Sequence, residues 1–104
     1  MEVIIDRFGM PIRLTDERLV HILDHPEMAD LKDSISGTLK RPELVVKSNS
    51  DESARLYYRF YSGTRMGDKF VCVVVKIRPG DAFVLTAYLT DKPKQGVALW
   101  NANT

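Results

Sequence analysis

The sequence has little cysteine, little histidine and no long apolar run. Its single cysteine, Cys72, cannot form an intramolecular disulfide, and it lies in the apolar segment 70–75, where a thiol usually acts as a small core residue. No apolar run reaches membrane-spanning length, and residues 1–6 show no basic start followed by an apolar stretch. We therefore expect a soluble, cytoplasmic protein, and at 104 residues a single domain over residues 1–104.

Apolar spacing predicts two helices in the first part of the chain. Thr15 is a suitable N-cap for a helix that begins at about Asp16, and the helix should end near Asp24 because the residue before a proline is pushed out of helical backbone angles. Pro26 suits the first position of a second helix, along which apolar residues recur at helical spacing as far as Leu39.

The rest of the chain is rich in predicted strands. They cover residues 44–47, 54–61, 69–78, 82–90 and 97–100, and two short strands, or an extended lead-in with a turn, are predicted at 3–5 and 12–14. A three-residue hairpin loop at residues 79–81 would place Thr86 opposite Val74 and Lys76 opposite Val84.

The small net charge of +1 hides an uneven distribution. Residues 1–39 carry 4 Lys and Arg against 8 Asp and Glu, whereas residues 40–104 carry 11 against 6. An acidic helical part beside a basic sheet favours a polyanionic ligand on the sheet, although an ordinary solvated surface gives the same pattern.

Strand residues alternate between two faces, which sorts the predicted sheet. In residues 54–61 we expect Leu56, Tyr58 and Phe60 to face the core. The residues then predicted to share one outer face are Arg55, Tyr57, Arg59, Tyr61, Lys76, Thr86 and Tyr88. Cations neutralise phosphates and flat rings stack on unpaired bases, so this face is typical of a single-stranded RNA-binding surface. Tyrosine and arginine are also ordinary outward residues of strands.

The only two histidines, His21 and His25, lie four residues apart on the first predicted helix. In metal-free RNA cleavage one group takes the proton of the 2′-hydroxyl and another donates to the leaving oxygen, and two imidazoles can serve both roles. The groups predicted to hold the developing charge on phosphorus are Lys76, Arg59 and Thr86, with Arg55 and Tyr57 on the substrate-binding surface and Tyr88 as a stacking or proton-donating partner.

The same histidine spacing also matches one side of a zinc site. However, Ile22 rather than glutamate follows the first histidine, and no clear third ligand appears, so we expect neither a metal nor another cofactor. The remaining alternative is that both histidines are polar-face residues of the helix.

Four segments together resemble a known group of nucleases. They are His21-Ile22-x-x-His25-Pro26-Glu27 and residues 41–45, 73–76 and 83–92. They resemble the phage- and toxin-associated nucleases of the barnase, EndoU, colicin and RelE-like (BECR) group. The resemblance implies an α+β fold, in which two N-terminal helices pack on a four- to five-stranded antiparallel β-sheet.

The resemblance also implies an activity and a partner. The activity is that of a small, metal-independent ribonuclease of toxin type, with a site formed by His21 or His25, Lys76 and Thr86. The partners are an RNA substrate and a cognate antitoxin protein. The alternative is a non-catalytic domain on the same scaffold that binds a protein partner or RNA.

Overall fold

A computed structural model describes residues 1–103 and shows one seven-stranded sheet with two short helices. The strands are β1 (Glu2–Ile5), β2 (Pro11–Leu14), β3 (Leu44–Ser48), β4 (Ala54–Thr64), β5 (Gly67–Arg78), β6 (Asp81–Thr90) and β7 (Gly96–Asn101). The helices are α1 (Asp16–Leu23) and α2 (Lys32–Lys40), with a single 3-10 turn at Pro26–Met28 between them. Among residues 1–103, no helix has both the length and the apolar character needed to cross a membrane.

The sheet corrects the predicted architecture. Its strand order is β1-β2-β6-β5-β4-β3-β7, and all neighbours are antiparallel except β2 and β6, which run parallel. The expectation of two helices on a four- to five-stranded antiparallel sheet is therefore wrong: the sheet is mixed and has seven strands. The difference arises because the β1–β2 hairpin adds to one edge of the central strands and β7 adds to the other, and each addition satisfies backbone groups that a bare edge would leave unpaired.

The first helix begins where its capping residue predicts. The Thr15 hydroxyl accepts a hydrogen bond from the Arg18 N–H at 3.2 Å, and the helix ends at Leu23. The second predicted helix is not continuous from Pro26. At Leu31 the backbone (φ −111°, ψ 24°) leaves the helical region, so the chain makes one 3-10 turn and α2 starts only afterwards.

The two faces of the sheet have different surroundings. The helix-side face packs against buried residues of the helical layer: Ile22, Met28, Ile35 and Leu39. Its own buried residues include Val45, Tyr57, Val71, Val73, Val75 and Ala87. The opposite face, here called the open face, carries a second apolar cluster formed by Leu44, Val46, Leu56, Tyr58, Phe70, Cys72, Val74 and Tyr88.

The loop of residues 6–10 reaches across the helix side of the sheet. It follows β1 at one edge of the sheet, yet the ring of Phe8 meets the ring of Trp100 from β7, the strand at the other edge, with 6.3 Å between the ring centres. The Asp6 carboxylate is buried and also contacts Tyr57 near the middle of β4. The sheet must therefore curve toward the helices, so that its two edges approach on that side.

Candidate nucleic-acid site

A groove of about 390 Å³ lies on the open face. Its floor consists of strand residues, namely Ala54, Leu56, Val74, Leu85, Thr86 and Tyr88. Its rims are two loops, one formed by residues 48–51 and the other by Lys94 and Gln95. The floor is largely apolar and the rims are polar, which is the usual construction of a ligand pocket.

The second rim is placed by the topology of the sheet. Because β7 pairs with β3, the connection from β6 must pass β5, β4 and β3 before the last strand can begin. Along this path the Lys94 N–H donates a hydrogen bond to the Tyr58 hydroxyl at 2.9 Å, and the Lys94 Nζ lies 5.8 Å from the centre of the Tyr88 ring. The Asn49 side-chain amide donates to the Gln95 carbonyl at 3.1 Å, so the two rims are joined.

Two of the charges near the groove neutralise one another. The Lys76 Nζ donates to Asp51 Oδ2 at 2.5 Å, and the hydroxyl and N–H of Ser53 donate to Asp51 Oδ1. The hydrogen bond from Lys76 is the largest cause that lowers the pKa of Asp51 to about 2, and those from Ser53 add to it.

Lys94 has no carboxylate within 4.0 Å among residues 1–103, so its charge remains available to an anion.

The aromatic and thiol groups of the open face are neutral at physiological pH. Burial raises the pKa of Tyr58 and the pKa of Tyr88 above that of a free phenol, and it raises the pKa of the Cys72 thiol to about 11. Both phenols therefore keep a proton that they can donate in a hydrogen bond. Cys72 is a core residue, as its apolar setting in the sequence predicts.

The predicted histidines do not line this groove. His21 and His25 are exposed, their ring centres are 5.4 Å apart, and the His25 Nδ1 lies 3.7 Å from a carboxylate oxygen of Glu27. They belong to α1 and the turn that follows it, which pack on the helix-side face through Ile22 and Met28. Thr86 and Tyr88 line the groove and Lys76 borders it through Asp51, so the structure gathers the strand part of the predicted site without the imidazoles.

Three predicted substrate-binding residues lie on the helix-side face instead. Tyr57 is fully buried there because its cross-strand neighbours, Val45 and Val73, belong to the core under the helices. Arg55 and Arg59 share this face by strand alternation, and the Arg59 guanidinium donates to the Arg41 carbonyl at 2.8 Å. The prediction that Arg55, Tyr57 and Arg59 share a face with Lys76, Thr86 and Tyr88 is therefore wrong. Both faces of β4 carry large apolar side chains, so the alternation of residues does not show which face of the strand packs against the helices.

The β5–β6 hairpin is partly as predicted. Thr86 pairs with Val74, as expected, but Lys76 pairs with Phe83 rather than Val84. The connection between the strands has two residues, Pro79 and Gly80, instead of the three that were predicted. In addition, Leu85 is an extra residue of β6 that forms a bulge between Val84 and Thr86, so the alternation of β6 between the two faces of the sheet reverses at this point. This bulge is what lets Leu85 and Thr86 both line the groove.

Two groups of the site were missed by reasoning from the sequence. Lys94 and Asp51 lie in segments that show only turn composition, and their positions depend on which distant strands the loops cross. The local sequence of a loop does not predict which distant strands the loop will cross.

Within residues 1–103, no cluster of three or more His, Cys, Asp or Glu side chains is arranged to hold a metal ion. Comparison of the chain with protein-family models, with curated proteins and with solved structures found no match.

Proposed function

We propose that this protein binds single-stranded RNA, with one nucleotide in the groove of the open face. The observation that carries the proposal is the Lys94 ammonium beside the Tyr88 ring at the rim of a groove that no helix covers. A base that stacks on Tyr88 would displace the Lys94 ammonium from above the ring, and the displaced ammonium would contact the phosphate of the same nucleotide. The apolar floor would receive the rest of the base. The groove volume of about 390 Å³ suits a ligand of this size. We also propose that the protein acts in the cytoplasm.

Cleavage of the bound RNA is a second candidate function. It is favoured by the positions of Thr86 and Tyr88 in one groove, with Lys76 at its border, because these strand residues are the ones that the nuclease resemblance implies. In this reaction Asp51 would take the proton of the 2′-hydroxyl as that oxygen attacks phosphorus, and Lys76, released from Asp51, would stabilise the negative charge on phosphorus. The Tyr88 hydroxyl would donate its proton to the leaving oxygen as a weak acid, because burial raises its pKa. Asp51, with a pKa of about 2, is a weak base at neutral pH, so cleavage that depends on it would be slow.

One experiment tests both functions. Purified protein is mixed with a labelled single-stranded oligoribonucleotide in excess chelator, and binding is followed by fluorescence anisotropy and cleavage on a denaturing gel. We expect Lys94→Gln to weaken binding about tenfold, because the variant loses the cation that contacts the phosphate beside the Tyr88 ring. Lys40→Gln, which removes the same charge from the end of α2, serves as the matched control and should bind like the wild type.

The outcomes separate the candidates. Equal affinities of the two lysine variants, or equal binding of duplex and single-stranded RNA, would contradict the proposed groove. Cleavage that survives His21→Ala and His25→Ala but is lost in Lys76→Ala would assign the reaction to the groove, whereas cleavage lost only with the histidines would assign it to α1. A cognate antitoxin remains a proposal from the resemblance, and a protein that covers the open face would compete with the oligonucleotide.

A further inference from the structure

A second cationic and aromatic surface lies on the helix-side face. It consists of Arg7 and Phe8 in the loop after β1, Lys47 on β3, Arg55 on β4 and Trp100 on β7. We propose that this surface binds the phosphate and base of a further nucleotide of the same RNA strand that occupies the groove. The inference rests on the proposed function and extends the site from one nucleotide to several.

Two of the cations face each other directly. Lys47 and Arg55 are partners in the β3–β4 register, so their side chains leave the same face with Cβ atoms about 5 Å apart. Like charges in this arrangement repel, and neither residue has a carboxylate within 4.0 Å among residues 1–103. A bound anion would relieve that repulsion, which makes the pair a natural phosphate contact.

An aromatic ring lies in the adjacent row of the sheet. Trp100 pairs with Val45, and Val45 is two residues before Lys47 on the same face. The Arg7 guanidinium lies 5.3 Å from the centre of the Trp100 ring, and the Phe8 ring meets Trp100 edge-on. Phe8 is 45% exposed and Trp100 is half-buried, so a base can reach this pair from solvent.

The buried carboxylate under this surface is already satisfied. Asp6 accepts hydrogen bonds from the Phe8 N–H, the Met10 N–H and the Tyr57 hydroxyl. Arg55 acts on the same Tyr57 through both its charge and a side-chain hydrogen bond. Asp6 therefore holds the loop that presents Arg7 and Phe8, and it does not pair with Lys47.

The surface and the groove meet at one end of the sheet. Lys47 immediately precedes Ser48 and Asn49, which form a rim of the groove, and its β7 partner Val97 follows Gln95 on the other rim by two positions. A strand of RNA that leaves the groove over the rim formed by Ser48 and Asn49 therefore reaches the cationic pair by rounding this end of the sheet. Single-stranded RNA is flexible enough to follow such a path.

The test compares a dinucleotide with a longer single-stranded oligoribonucleotide on the variant Lys47→Gln/Arg55→Gln. The control variant, Lys32→Gln/Lys40→Gln, removes two charges from α2. We expect the first variant to bind the longer RNA about tenfold more weakly than the control does. Because one phosphate contact is lost, the slope of log affinity against log salt should also fall by about 0.7. The affinity of the first variant for the dinucleotide should equal that of the control.

Each outcome distinguishes the two proposals. If the longer RNA binds both double variants equally with the same salt slope, the second subsite is refuted while the groove stands. If the wild type binds no RNA, or Lys94→Gln has no effect, the proposed function itself fails. If the wild type binds polyglutamate but not the longer RNA at this surface, and Lys47→Gln/Arg55→Gln loses that binding, the surface would be assigned to an acidic protein partner instead of to RNA. Should the double variant fail to fold, Lys47→Gln alone repeats the comparison without touching Tyr57.

Discussion

The Tyr57 hydroxyl donates a hydrogen bond to the buried Asp6 carboxylate at 2.5 Å, joining residues 51 positions apart in the sequence. The same carboxylate accepts the N–H groups of Phe8 and Met10, so one buried anion organises the loop after β1 and ties it to β4. Burial is the main cause that raises the pKa of Tyr57, with Asp6 adding to it, so the phenol remains a donor throughout the physiological range.

Removing that donor should destabilise the fold. Tyr57→Phe leaves a buried carboxylate oxygen without its partner, and we expect the free energy of unfolding to fall by about 1–3 kcal/mol. Urea unfolding followed by circular dichroism measures it. Tyr61→Phe is the control, because the half-buried Tyr61 hydroxyl makes only long hydrogen bonds, donating to the Ser34 carbonyl at 3.3 Å and accepting from the Thr38 hydroxyl at 3.5 Å. Equal losses in the two variants would show that Asp6 does not depend on the phenol.

The Lys76–Asp51 pair predicts a specific dependence of stability on pH. The pKa of Asp51 falls from 3.8 to about 2 on folding, so its contribution is complete above about pH 4 and is lost as the pH falls toward 2. The stability difference between wild type and Asp51→Asn should therefore be constant near neutral pH and shrink in acid. Urea unfolding across this range measures it, and the neighbouring Glu52→Gln supplies the control. A difference that stays unchanged down to pH 2 would rule out the pair as its source.

Cys72 should be inert in the folded protein. Burial removes the thiol from solvent and raises its pKa to about 11, so both access and the thiolate fraction are low at pH 8. We expect iodoacetamide to label the protein only after denaturant unfolds it, as intact-mass measurement would show. Rapid labelling without denaturant would mean that the open face opens readily under native conditions.

Gly96 should tolerate no side chain. A Cβ at this position would lie 2.4 Å from the Lys47 carbonyl oxygen, a backbone atom that cannot move without separating β7 from β3. Gly96→Ala should cost about 1–3 kcal/mol and expose the amides of β7 to hydrogen exchange. Ala98→Gly, on the same strand, adds no atoms and should cost less than about 1 kcal/mol with β7 still protected. Full protection in Gly96→Ala would contradict the close approach of the two strands.

The features that the sequence predicted well are local. Thr15 caps α1 because a hydroxyl needs only the next three residues to find its partner. Thr86 opposes Val74 as expected, but only because the bulge at Leu85 offsets a hairpin connection that is one residue shorter than predicted. The bulge at Leu85 was not predictable in this way, since an inserted residue looks the same in sequence as an ordinary strand residue.

The features that were missed depend on distant parts of the chain. Tyr57 and Tyr58 are both fully buried, one on each face of β4, so no alternation of polar and apolar residues shows which face meets the helices. The separation of His21 from Thr86 follows from that same choice of face. The seven-stranded sheet likewise depends on pairings such as Val45 with Trp100, for which the sequence offers no short-range signal.

The path of residues 91–95 has a consequence for the order of folding. The hairpins that join β4, β5 and β6 close through short loops, whereas Lys47 meets Val97 only after a much longer stretch of chain has been arranged. We therefore expect the rim that carries Lys94 to form in the slowest step. A partly folded molecule would have its central strands assembled but an incomplete groove, so the RNA binding that we propose would report on the last stage of folding rather than on collapse.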